Sequence, residues 1–140
     1  MKTRLVSTLA FGVLTFGCAH LAPKSFAEVD LGQREDVQSA VVETLKARLH
    51  RVSEVAPRRV ATGWEMEREG ATTRRQRFIV TWDGDPPEPV TVYVRHEEQK
   101  MQLDQGSAAA WGSIRHDMGA QQALLDAITD RLLPPSPVDE

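Results

Sequence analysis

Three stretches of strict two-residue alternation constrain this chain more than anything else in it. Val60, Thr62, Trp64 and Met66 alternate with Ala61, Gly63, Glu65 and Glu67. Phe78, Val80 and Trp82 alternate with Arg77, Ile79 and Thr81. Val90, Val92 and Val94 alternate with Thr91, Tyr93 and Arg95. Alternation rich in β-branched and aromatic residues predicts a half-buried antiparallel sheet of three strands. Gly70 marks the first turn. Asp83-Gly84-Asp85-Pro86-Pro87 marks the second, where prolines cannot donate ladder hydrogen bonds.

A common apolar face then sets an expected register. A hairpin centred near Pro86 puts Val80 opposite Val92, Phe78 opposite Val94, Arg77 opposite Arg95 and Arg75 opposite Glu97. One centred near Ala71 puts Trp64 opposite Phe78, Glu65 opposite Arg77 and Glu67 opposite Arg75.

Helical spacing brackets these strands. Val37, Val41, Leu45, Leu49 and Val52 recur at three- or four-residue steps from Arg34, and Pro57 stops the helix at or before Ala56. Asp117 is an expected N-cap for a helix that runs to Leu133, with Leu125, Ile128 and Leu132 on one side. Trp111 is an expected anchor onto the core. The order helix, three strands, helix gives an α+β two-layer sandwich over residues 34–133. Residues 18–33 carry no clear periodicity and read as a tether, and 134–140, with three prolines, as a free tail.

Composition limits the function classes. Hydrophobic residues at 41% and charged residues at 26% are globular values and argue against wholesale disorder. The first seventeen residues have a different character. Lys2 and Arg4 precede an uncharged, largely apolar run from Leu5 to Phe16, too short to span a bilayer and of the length of a secretory signal. Removing that signal takes the 17 basic residues to 15 against 20 acidic ones, a balance of −5 that disfavours binding nucleic acid. The one cysteine, Cys18, excludes an internal disulfide.

Leu14-Thr15-Phe16-Gly17-Cys18 resembles the lipobox of bacterial lipoproteins. The resemblance lies in Gly17 and Cys18; Thr15 and Phe16 depart from the family's Leu and small residue. It implies cleavage before Cys18, acylation of its sulfur and a membrane anchor; separately, no cofactor is expected. Ala19 after the cysteine implies sorting to the outer membrane in a Gram-negative host. Two acyl chains or more anchor stably, where one is marginal. Ordinary cleavage after Ala27, at Ser25-Phe26-Ala27, is the alternative and would release a soluble periplasmic or secreted protein. Cleavage after Ala19 is a third option.

The candidate sites are sparse. Arg74-Arg75-Gln76-Arg77 is the densest basic run, and Arg75, Arg77 and Arg95 form the candidate surface for an anionic ligand. In the expected register their neighbours Glu65, Glu67 and Glu97 neutralise most of this charge, and Arg77 against Arg95 is the uncompensated contact. His96-Glu97-Glu98 and His116-Asp117 lack metal-ligand spacing, and Asp83-Gly84-Asp85 lacks the later ligands of a calcium loop. No nucleophile elbow, phosphate-cradling loop or zinc-protease helix occurs. The expectation is a non-enzymatic envelope lipoprotein that binds or helps assemble an envelope protein partner.

Overall fold

The computed structural model describes residues 23–30, 36–85, 88–102 and 110–133. Eight elements follow in order: β1 Ser25–Val29, α1 Val37–Ala47, β2 Val52–Ala56, β3 Arg59–Thr62, β4 Glu65–Glu69, β5 Thr72–Asp83, β6 Val90–Gln102 and α2 Met118–Leu132. The fold is α+β, with two helices and an antiparallel sheet of six strands where the sequence reading expected three. The strands run β1-β6-β5-β3-β2, and β4 also pairs with β5.

Both helices cover one face of the sheet. Val41, Leu45, Leu124, Leu125 and Ile128 meet Val60, Phe78, Val80, Trp82, Val92 and Val94 in a single core. Phe78, Val80 and Trp82 point inward, as their alternation implies. Helix α2 starts where Asp117 accepts a hydrogen bond from the Ala120 N–H at 2.9 Å, satisfying one of the orphan donors of the first turn.

Four expectations are corrected. Helix α1 ends at Ala47, and Val52–Ala56 is a strand rather than the helix's last turns. The chain reverses at Leu49, which holds φ at 64° while the His50 N–H donates to the Leu45 carbonyl. Val52 thus continues the helical spacing only by coincidence. Pro57-Arg58 then turns β2 into β3, with Arg58 at φ 58°.

The expected tether holds β1. Its Ser25–Val29 backbone pairs with Val90–Val94, and Ser25 and Val29 are buried. Cys18, the signal segment and residues 134–140 lie outside the described residues.

The third correction is a bulge. Ala61 faces Ile79 and Glu65 faces Gln76, so residues 62–64 oppose only 77–78. One extra residue sends every later side chain to the other face. The break is sealed by Thr62, whose Oγ1 accepts from the Phe78 N–H at 2.9 Å. Glu65 therefore turns toward the helices, and Trp64 and Met66 turn away from them.

The fourth is the β5–β6 register. Val80 pairs with Val94, Phe78 with His96, Arg77 with Glu97 and Arg75 with Gln99. The shift from the expected pairing is two residues, which preserves the face of each side chain and changes its partner. Gly84 sets this turn: at φ 110°, a Cβ there would lie 2.6 Å from the Pro89 carbonyl oxygen.

Candidate functional site

The sheet's open face, opposite the helices, gathers Arg75, Arg77 and Arg95 as the sequence reading placed them. Their surroundings are different. Glu97, with 5% of its side chain exposed, receives Arg77 at 2.9 Å on one carboxylate oxygen and Arg95 at 2.8 Å on the other. The expected repulsion of Arg77 by Arg95 is thus replaced by a shared carboxylate. Each guanidinium contributes a charge-assisted contact that water reaches poorly.

Arg75 stacks on two indoles, 4.3 Å from the Trp64 ring centre and 4.1 Å from that of Trp111, and Arg77 also lies over Trp64 at 4.5 Å. Neither Trp64 nor Trp111 therefore serves the core as expected. Both stack on arginines, an arrangement that the electron-rich ring faces favour. Arg75 also donates to Gln99 Oε1, whose amide nitrogen donates to the Gly112 carbonyl at 3.0 Å. This fixes Trp111 through a segment that runs beside β6, where Glu98 and Arg115 exchange two backbone hydrogen bonds. The stacked row is a built surface whose charges are largely turned on one another.

Farther along the same face, next to β1, lies a shallow cleft lined by Lys24, Arg59, Ile79, Thr81, Tyr93 and Arg95. Lys24 sits 5.6 Å above the Tyr93 ring, and Phe26, 67% exposed, packs tilted against Tyr93 at 6.1 Å. Arg59 is paired with Glu54 at 3.0 Å across an exposed surface. Sequence reading missed Lys24 and Arg59 because one lay in the supposed tether and the other followed a turn.

On the helix face a second polar cluster closes the end of the core. Phe78 is flanked by His50 and His96, each ring 5.0 Å away. His96, almost wholly buried, accepts the Asp117 N–H on Nδ1 at 3.0 Å, so its proton sits on Nε2 and is donated to Gln76 Oε1 at 3.1 Å. Burial pushes its pKa below the ordinary imidazole value, against the opposing pull of Asp117 and Glu98. Gln121, also buried, accepts from the His96 N–H and donates to the Ser25 hydroxyl. The His116 ring donates from Nδ1 to the His96 carbonyl at 2.6 Å, and His50 contacts Glu65 at 3.1 Å. These groups satisfy one another and lock β1, β6 and α2 together. Asp83 and Asp85 form no common site, because Asp85 turns to Arg58. Among the described residues no three His, Cys, Asp or Glu side chains converge as metal ligands, and no helix is long and apolar enough to cross a membrane.

No protein-family model matches the chain, and no curated protein matches it in sequence.

Proposed function

We propose that the chain is a cell-envelope lipoprotein, acylated on Cys18, whose α+β domain is a non-enzymatic binding or assembly module held at the outer membrane. The observation that carries this reading is β1. Cleavage after Ala27 would remove three of the five residues that pair with β6 and would strip Gln121 of the Ser25 hydroxyl. A cut that severs a strand of the sheet is a poor maturation site. Cleavage before Cys18 keeps the strand whole and leaves a cysteine at the new N-terminus for acylation.

The rival reading, a released protein that captures an anionic ligand on Arg75, Arg77 and Arg95, is weakened by the partners those side chains already have. A ligand there would compete with Glu97 and with two tryptophan rings. The mutual satisfaction of the histidine cluster likewise favours a scaffold over acid–base chemistry. Binding of an envelope protein partner stays within the proposal.

The test is incorporation of a labelled fatty acid by cells that export the full chain. Label should enter the wild-type protein and be absent from Cys18→Ala. A wild-type chain that takes up no label would refute acylation, including the case of cleavage after Ala19, which leaves β1 whole but discards Cys18.

A further inference from the structure

We infer that the open sheet face beside β1 lies against the membrane that anchors the chain, with the Lys24/Arg59/Arg95 cleft receiving the phosphate of an anionic lipid headgroup and Phe26 entering the headgroup region. This inference rests on acylation at Cys18 and goes further by assigning which surface meets the lipid.

Reach is the first argument. Five residues separate Cys18 from Lys24, and even fully extended the six steps from one to the other span only about 20 Å. A domain of this size is wider than that. The acylated end therefore keeps the start of β1 close to the lipid surface, and the domain cannot turn that edge far away.

Charge and shape supply the second argument. The cleft brings Lys24, Arg59 and Arg95 onto one side of the sheet. The acids that pair with this group are Glu54, on Arg59, and the nearly buried Glu97, which Arg95 shares with Arg77. Lys24 makes its contact with a ring rather than a carboxylate, so its charge stays available to an incoming phosphate. The acids Glu28 and Asp83 both oppose Thr91, one same-face position past Phe26 and Thr81, on the side of the cleft away from Lys24 and Arg95. The basic end is thus also the anchored end.

Phe26 is the third element. Its ring, 67% exposed, packs beside Tyr93, and the Tyr93 ring in turn lies under Lys24, a grouping of aromatic and basic side chains that suits headgroup depth. Basic side chains near an anionic bilayer add to a lipid anchor and fade with salt.

The acylated protein is first scored for label at Cys18 and then reconstituted in vesicles of phosphatidylcholine with or without phosphatidylglycerol. Cys18 is the chain's one cysteine, and acylation consumes its thiol, so Phe26→Cys offers a single site for a nitroxide. Leu49→Cys, at a position 92% exposed, is the reference. In vesicles holding phosphatidylglycerol the nitroxide at 26 should be several-fold less accessible to a water-soluble nickel chelate than the one at 49. Phosphatidylcholine alone, or Lys24→Gln with Arg59→Gln, should remove that protection. The two substitutions should weaken apposition by about 25-fold, roughly five-fold for each cation near an anionic surface. Lys24→Gln alone, at an exposed position, repeats the test where loss of Arg59 disturbs β3, and circular dichroism reports folding. An unacylated protein would overturn the anchor and this inference together. An acylated protein with equal access at 26 and 49, or with protection indifferent to phosphatidylglycerol, would overturn the docked face alone.

Discussion

On the helix side of the sheet Val80, Val92 and Val94 lose all contact with water, whereas on the other face of the same two strands Arg77 and Arg95 meet at Glu97 in a layer that water still touches. The strands are shared, so the difference lies in what covers each face. Two amphipathic helices bring enough apolar surface to bury one side. The other side builds its own cover, by laying guanidinium groups on indoles and turning two of them onto Glu97. Apolar burial is non-directional and tolerates approximate partners. A buried carboxylate requires its partners at fixed places, because an uncompensated charge there is costly.

That contrast can be broken most severely on the helix face. Phe78→Ala removes a buried ring held between His50 and His96, and should cost ~3–5 kcal/mol in chemical denaturation. For a small domain this approaches the whole stability available. A loss under ~1 kcal/mol would show that the ring is not part of a close-packed core.

Arg77→Glu is the matching change on the open face. In the expected register this substitution would relieve the contact of Arg77 with Arg95 and cost little. With Arg77 on Glu97 it instead sets two carboxylates together where one is 5% exposed. The cost should be ~2–4 kcal/mol, somewhat below that of breaking an isolated buried pair because Arg95 remains. Arg131→Ala, which breaks the exposed contact with Glu43 at 3.2 Å, should cost under ~0.5 kcal/mol. Equal effects of the two would mean that the open face is merely a solvated surface.

Burial of His96 adds a dependence on pH. His96 is held neutral by burial, so the unfolded chain binds its proton more readily than the folded one. Its contribution to stability is complete above the unfolded imidazole value near ~6.5 and declines as pH falls from there toward the lower folded value. Protonation would also turn the Nδ1 acceptor into a donor facing the Asp117 N–H, at the N-cap of α2. Denaturant midpoints taken from about pH 7.5 to 5.5 should therefore fall, with a slope from this group of at most ~1.4 kcal/mol per pH unit. His96→Gln should flatten that part of the curve. An unchanged slope would place the titration elsewhere.

How much of this could be read beforehand follows from what alternation encodes. It assigns a residue to a face, and Phe78, Val80, Trp82, Arg75 and Arg77 all fell on the faces expected. It does not choose among registers that differ by two, which is why Glu97 was given to Arg75 instead of Arg77 and Arg95. The bulge at 62–64 had only Gly63 as its mark, inside an otherwise regular pattern, and Trp64 was misplaced in consequence. Strand β1 hid because Ser25 and Ala27 are small, leaving Phe26 exposed and a weak apolar signal. Strand β2 hid because Leu49 and Val52 continue the spacing of α1. Of the candidate site, the arginines were legible as a group, while the stacking of Trp64 and Trp111 depends on the bulge and on a segment that only the fold brings beside β6.

The same misread strand bears on the proposal that the exported chain keeps β1 and begins at Cys18. Intact-mass analysis of the protein recovered from the envelope tests it most directly. The expected species starts at Cys18 and carries the added mass of acyl groups. An unmodified chain that starts at Glu28 would contradict it, since the domain would then have matured without Ser25, Phe26 and Ala27.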